Sequence, residues 1–201
     1  MHRLTYVVVI ALMGLIGCGS PHPIKYYAVQ IPAAPSPSSA VYPIDLVVKR
    51  LTGPSLLESS PIVYRIGPNQ MGTYAYHRWE DAPVEMIQTR LIRVLRSTGQ
   101  YQSVVEAGSV AGAEFMVRGR LYEFEEVSGP SLAGQVTMEF ELCDRKTGKV
   151  LWTHYYSQSE PADGKEITSV VQALERNLDR GLKEVAAGLS QYFAANPPKK
   201  A

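Results

Sequence analysis

The chain has 201 residues, with 20 Lys and Arg against 19 Asp and Glu and a formal charge of +1. That length suits one domain, and the even charge balance excludes the basic footprint of a nucleic-acid binder. Its two cysteines, Cys18 and Cys143, are too few for a disulfide framework.

The chain opens on His2 and Arg3, continues through an apolar run over 6–16, and reaches Gly17 and Cys18. Basic, apolar and small-residue regions in that order form an export signal. The run is shorter than the roughly 18 residues of a membrane-spanning helix, which predicts removal of residues 1–17. Leu15-Ile16-Gly17-Cys18 matches the lipobox, in which diacylglycerol is joined to the cysteine thiol and a peptidase then cuts ahead of it. Cys18 is therefore the expected lipid-attachment residue, bearing covalent diacylglycerol and an N-acyl chain; no other cofactor is expected. Each buried methylene contributes about 0.8 kcal/mol and two acyl chains give stable anchoring. Gly19 stands where an aspartate would favour retention in the inner membrane. The expected location is the outer membrane, facing the periplasm.

Residues 18–25 read as a lipidated, Pro-containing tether, and 26–196 as one domain. A strand is expected over 24–31, then a Pro-rich insert at 32–40. Strands follow over 42–51, 60–66 and 72–77, rich in β-branched and aromatic residues and punctuated by Gly and Pro. Asp81 and Pro83 predict the start of a helix over 83–98; Val84, Ile87, Leu91, Val94 and Leu95 form its apolar stripe, and Gly99 ends it.

Short and long strands are expected over 101–105 and 114–127. In the second, Phe115, Val117 and Leu121 share one parity before Tyr122 and Phe124 take the other, which predicts a bulge near Leu121. Over 134–143, Val136, Met138, Phe140 and Leu142 alternate with polar residues, so one face is buried. A turn at 144–149 makes a hairpin with a strand over 150–157. Asp163 with Glu166 reads as a capping box for a helix over 164–195. Its stripe is Ile167, Val171, Leu174, Leu178, Leu182, Val185, Leu189 and Tyr192, which predicts lengthwise packing on the sheet. Residues 197–201 form a tail. The fold class is α+β, an α/β sandwich with a mixed, largely antiparallel sheet against two main helices.

No catalytic or metal constellation emerges. His22, His77 and His154 lack metal-ligand spacing, and there is no G-x-S-x-G elbow. Thr147-Gly148-Lys149 lacks the rest of a phosphate loop and reads as a hairpin turn. Glu123, Glu125 and Glu126 could hold a cation, but a solvated face is the favoured reading. Twelve tyrosines against four Phe and two Trp suit either contact surfaces or the outer layer of a core. The chain is expected not to be an enzyme.

Five features come in a distinctive order: Cys18, then Lys25-Tyr26-Tyr27, then Ser60-Pro61-Ile62-Val63-Tyr64-Arg65, then Tyr74, then His77-Arg78-Trp79-Glu80-Asp81-Ala82-Pro83 leading into a helix with Leu91 and Leu95. Together they resemble the ABC-type transport auxiliary lipoproteins, the PqiC-like group that accompanies MCE-type lipid transport systems. The resemblance implies an α/β domain in a non-catalytic periplasmic component that docks or scaffolds an envelope transporter. Implied partners are an MCE-domain protein and an ABC permease and ATPase, with phospholipid and further copies of the chain also candidates. Arg65, Arg78 and Trp79 would then contact a partner or serve structure, Trp79 sealing the core while Arg78 caps carbonyls or pairs with Glu80 or Asp81. The competing reading is a lipoprotein regulator of a cell-wall synthase or an assembly factor of an outer-membrane complex.

Overall fold

The computed structural model describes residues 22–30, 42–108 and 112–198. The expected signal, Cys18, the insert at 32–40 and the last three residues lie outside them. In chain order the elements are β1 (Lys25–Tyr27), β2 (Tyr42–Val48), β3 (Pro61–Ile66), β4 (Gln70–Trp79), α1 (Pro83–Ser97), β5 (Tyr101–Glu106), β6 (Phe115–Ser128), β7 (Ala133–Asp144), β8 (Val150–Pro161) and α2 (Ile167–Ala195).

All eight strands join one mixed sheet whose spine is β6. One edge of β6 runs antiparallel to β7 along its length, and β7 pairs in the same way with β8. Its other edge is shared by two parallel partners, β2 beside Phe115–Val117 and β3 beside Glu125–Ser128. The sheet therefore forks. One branch continues from β2 to β5, and the other from β3 to β4 and β1. The long ladders are antiparallel and the parallel ones short, in an α+β fold.

Alternation on β7 decides which face is covered. Val136, Met138, Phe140 and Leu142 are buried together with Val117, Leu121 and Phe124 of β6 and with Leu174, Leu178, Leu182, Val185 and Leu189 of α2. The long helix lies on its own sheet, as the stripe predicts. Gly181 permits that approach: a Cβ there would come within 2.4 Å of Met138 Cε and 2.9 Å of the Tyr156 ring. The register of β6 against β7 shifts between Leu121 and Glu123, so the expected bulge is present. It returns Phe124 to the covered face but leaves Tyr122 exposed, a departure from the expected shared parity of the two rings.

Other boundaries also differ from expectation. Of the described residues 24–30 of the expected 24–31 strand, only Lys25–Tyr27 is strand, because the chain then turns inward to bury Val29 and present the Gln30 carbonyl to Arg90. Neither helix has the expected cap. The N-cap of α1 is Ala82 with Pro83 in the first turn, and that of α2 is Glu166; neither makes a side-chain capping bond. Asp163 instead pairs with Arg176 at 3.1 Å, and it precedes Ile167 by too much chain to reach the first free amides. Near the helix end the buried stripe runs from Leu189 to Phe193, one residue beyond the expected Tyr192. A step of four keeps Phe193 on the covered face, where its ring meets those of Phe115 at 5.2 Å and Tyr42 at 5.6 Å.

The β8 end and α2 are also joined by charge. Glu160 accepts from Arg176 at 3.2 Å and from Arg180, and the Arg180 hydrogen bond, foremost, holds its carboxyl below the ordinary glutamate range. A lowered folded pKa stabilises above the unfolded value, near pH 4.3, and is lost as pH falls through the folded value. Glu160→Gln is expected to cost at most about 1 kcal/mol at pH 7, since the arginines are solvated. The difference from the parent should shrink as pH falls below the unfolded value and vanish only below the lowered folded one, as read from urea titrations run across the range.

Candidate functional site

Three segments distant in the chain become neighbours in the β1–β4–β3 branch. Lys25, Tyr26 and Tyr27 pair with His77, Arg78 and Trp79 in that order, and Pro61 faces Arg78 from the other side. Trp79 N–H donates to the Ser60 carbonyl at 2.7 Å, and Glu80 N–H donates to the Tyr27 carbonyl at 2.8 Å. Between its partners Pro61 and Val63, β4 carries extra residues, passing from Arg78 to Thr73. Such a bulge re-aims the side chains it contains.

On the covered side Trp79 is fully buried, its ring 5.2 Å from that of Phe124. A relay of rings continues outward. The Tyr27 hydroxyl and His77 Nδ1 are hydrogen bonded at 2.8 Å, His77 meets the edge of Tyr74 at 5.5 Å, and Tyr74 meets Tyr64 at 5.1 Å. Tyr74 donates to Glu126 at 2.6 Å, and Ser128 donates to the other carboxylate oxygen at 2.7 Å. Burial, and then the bond to Glu126, push the Tyr74 phenol well above its ordinary range, so it remains a donor.

The acidic cluster departs from the expected solvated face. Glu125 and Glu126 are buried; Glu125 accepts from Arg65 Nε and Glu123 from the Thr137 hydroxyl. The reason is the parallel ladder that lays β3 beside this end of β6. Arg65 thus has a defined partner, a carboxylate 2% exposed. Removing one member of a buried pair strands the other. With Arg65 itself partly in water, Arg65→Met is expected to cost about 2 kcal/mol, and adding Glu125→Gln to restore most of it, as read from urea midpoints. Equal losses in the single and double variants would contradict this pairing.

Arg78 does not make the expected pair with Glu80 or Asp81. The chain turns at Glu80 to enter α1, and Arg78 Nε has no hydrogen-bond partner among the described residues. Strand alternation sets Arg78 on the face opposite Trp79, in register with Tyr26.

A second concavity, of about 370 Å³, opens on the uncovered face of β6 and is lined by Lys49, Arg50, Arg118, Arg120, Tyr122 and Glu139, among others. Arg118 bonds Glu141, Arg50 bonds Glu85 at 3.2 Å, and Arg120 stands over the Tyr122 ring at 5.6 Å. No residue named from the sequence lies on this surface except Tyr122; its signal in the chain is Arg118-x-Arg120 opposite Glu139-x-Glu141, a cross-strand charge ladder. Thr147-Gly148-Lys149 lies in the β7–β8 hairpin turn, where the Asp144 carboxylate accepts the amides of Lys146 at 2.9 Å and Thr147 at 2.8 Å. Cys143 is buried beside it.

A forked mixed sheet with a long helix laid along it defines an α+β domain. The model of the family described as the ABC-type transport auxiliary lipoprotein component matches residues 27–186, and the chain belongs to that family. Membership makes it a lipoprotein component of ABC-type transport, held to a membrane of the cell envelope. The fold is similar to that of protein XCC0632 from Xanthomonas campestris, of the DUF330 family, with TM-score 0.73, 17% identity and 83% of this chain covering 94% of that one. It is similar to an uncharacterized protein with TM-score 0.67, 14% identity and coverage of 84% and 99%. It is also similar to the hypothetical protein CT253 from Chlamydia trachomatis, with TM-score 0.50, 10% identity and coverage of 76% and 99%. No curated protein sequence matches the chain.

Proposed function

We propose that the protein is a non-catalytic docking subunit of an MCE-type phospholipid transport system, held at the outer membrane by acyl chains on Cys18 and facing the periplasm. The observation that carries this reading is the family match, which begins at residue 27, nine residues after the lipobox cysteine. The transport-associated domain follows directly on its anchor. Gly19 in place of aspartate favours the outer membrane. In this reading the acyl chains hold the protein, the tether sets its reach, and the domain offers surfaces to an MCE-domain protein. The energy for transport comes from an ATPase in another chain.

Cys18→Ser, with residues 1–17 exchanged for a conventional cleaved export signal, removes the acylated thiol and is expected to move the protein from the membrane to the soluble periplasmic fraction, as seen by fractionation and blotting. The role itself is tested by photocrosslinking in intact cells from exposed positions such as Tyr155 and Tyr122, with mass spectrometry of the captured chain. An MCE-domain protein is the expected capture. Consistent capture of a cell-wall synthase or of an outer-membrane assembly complex would replace this reading with the regulator or assembly-factor one.

A further inference from the structure

We infer that the face of the β1–β4 edge bearing Ile24, Tyr26, Tyr76 and Arg78 rests against the bilayer that holds Cys18, so that anchor and patch together set the orientation of the domain. The inference rests on the anchoring reading above. It adds a membrane-contact surface and names the residues that form it.

Exposure singles out the patch. Tyr26 is 65% exposed, Tyr76 47% and Ile24 44%. Register places Tyr26 beside Arg78 on the neighbouring parallel strand, a step of two residues back from Tyr26 returns to the same face at Ile24, and Tyr76 joins them through the tether. The His22 ring packs on Tyr76 at 5.3 Å, so the tether leaves the domain from within the patch.

Chain length then limits what can cover it. Cys18 precedes His22 by four residues, which span at most about 14 Å when fully extended. The acyl chains on Cys18 enter the bilayer at its surface, so this edge cannot move farther from the headgroups than that. The opposite edge, β8, is five strands away across the sheet, about 24 Å at the usual inter-strand spacing. A protein partner seated on the patch would have to enter the narrow gap between domain and membrane, and β1 has only three strand residues to offer an added strand.

The side chains suit the headgroup layer. Tyrosine combines an apolar ring with a polar tip and collects at membrane interfaces, and Ile24 supplies apolar area; Arg78, in register with Tyr26, adds a positive charge beside the rings. Such a contact is weak in a free protein. Tethering raises the effective concentration into the millimolar range for a short linker, which is enough for a weak contact to be occupied.

The test uses the mature chain from Cys18 onward, coupled through the Cys18 thiol to maleimide-bearing lipid in phosphatidylethanolamine and phosphatidylglycerol vesicles; Cys143 is buried and does not compete. Tyr26→Trp and Tyr155→Trp report on the two ends of the sheet. Dibrominated acyl chains are expected to quench the added fluorescence of Tyr26→Trp at least twofold and to leave that of Tyr155→Trp unchanged. Placing Ile24→Ser and Tyr76→Ser in the Tyr26→Trp background should reduce the quenching while circular dichroism and vesicle attachment stay unchanged. Absence of quenching at residue 26, equal quenching at both positions, or dimerisation of the uncoupled chain through the patch would overturn the inference. Because coupling is chemical, such a result would count against the patch alone, whereas failure of Cys18 to be acylated in cells would count against the anchoring reading.

Discussion

Trp79→Ala is expected to lower stability by about 4 kcal/mol, among the largest losses any single substitution in this protein can produce. The ring is fully buried against Phe124, at the point where β4 ends and the chain turns towards α1. Its walls cannot easily collapse into the space left behind, because the backbone on each side is bonded. Trp79 N–H is held by Ser60, Glu80 N–H by Tyr27, and β3 is laddered to β6. A cavity term therefore adds to the lost transfer energy. The indole Nε1 has no acceptor among the described residues, so Trp79→Phe forfeits area without breaking a hydrogen bond seen there and is expected to cost under half as much. Urea unfolding with an unchanged m-value measures both. A loss below about 1 kcal/mol for the alanine variant would show that the site relaxes and that Trp79 does not close this end of the core.

Features carried by one stretch of chain were visible in the sequence. The alternation of Val136, Met138, Phe140 and Leu142 marks the covered face of β7, and the parity break around Leu121 marks a bulge that the β6–β7 register confirms. The long apolar stripe identifies a helix lying on the sheet. What stayed hidden depends on pairings between distant segments. Glu125 and Glu126 look like surface charge until β3, some 60 residues earlier, is laid beside them and brings Arg65 and, through β4, Tyr74. Arg78 looks like a partner for its acidic neighbours until Tyr26 and Tyr27 are placed alongside it. The helix starts were misread for another reason. Asp81 and Asp163 are good capping residues, but the direction in which the chain leaves β4 and β8 sets where each helix begins. The resemblance assembled Lys25-Tyr26-Tyr27, Ser60–Arg65 and His77-Arg78-Trp79 only as an order along the chain; the sheet makes them one surface.

Asn177→Leu is expected to cost about 3 kcal/mol, although it keeps the number of side-chain heavy atoms and adds an apolar group to an apolar surface. Asn177 is fully buried in the middle of the α2 stripe. Its Nδ2 donates to the Gly134 carbonyl of β7 at 3.0 Å and to the Gln158 carbonyl of β8 at 2.7 Å. Its Oδ1 accepts from the Tyr156 hydroxyl at 2.6 Å, and burial, foremost, raises the Tyr156 phenol above its ordinary range, keeping that donor protonated. One side chain thus fixes the helix against two strands at a set position along its axis. Leucine leaves both carbonyls without this donor, and the Tyr156 hydroxyl keeps only the 3.0 Å contact to the backbone carbonyl of residue 177. Tyr156→Phe alone removes a single hydrogen bond and is expected to cost about 1 kcal/mol. Part of the Asn177→Leu loss is the weaker bonding left to the Tyr156 hydroxyl, so Asn177→Leu with Tyr156→Phe should lose less than the sum of the two. A double-mutant cycle on urea midpoints reads that coupling, and additivity within about 0.5 kcal/mol would show that the two side chains act separately and that Asn177 does not organise the contact between α2 and the sheet.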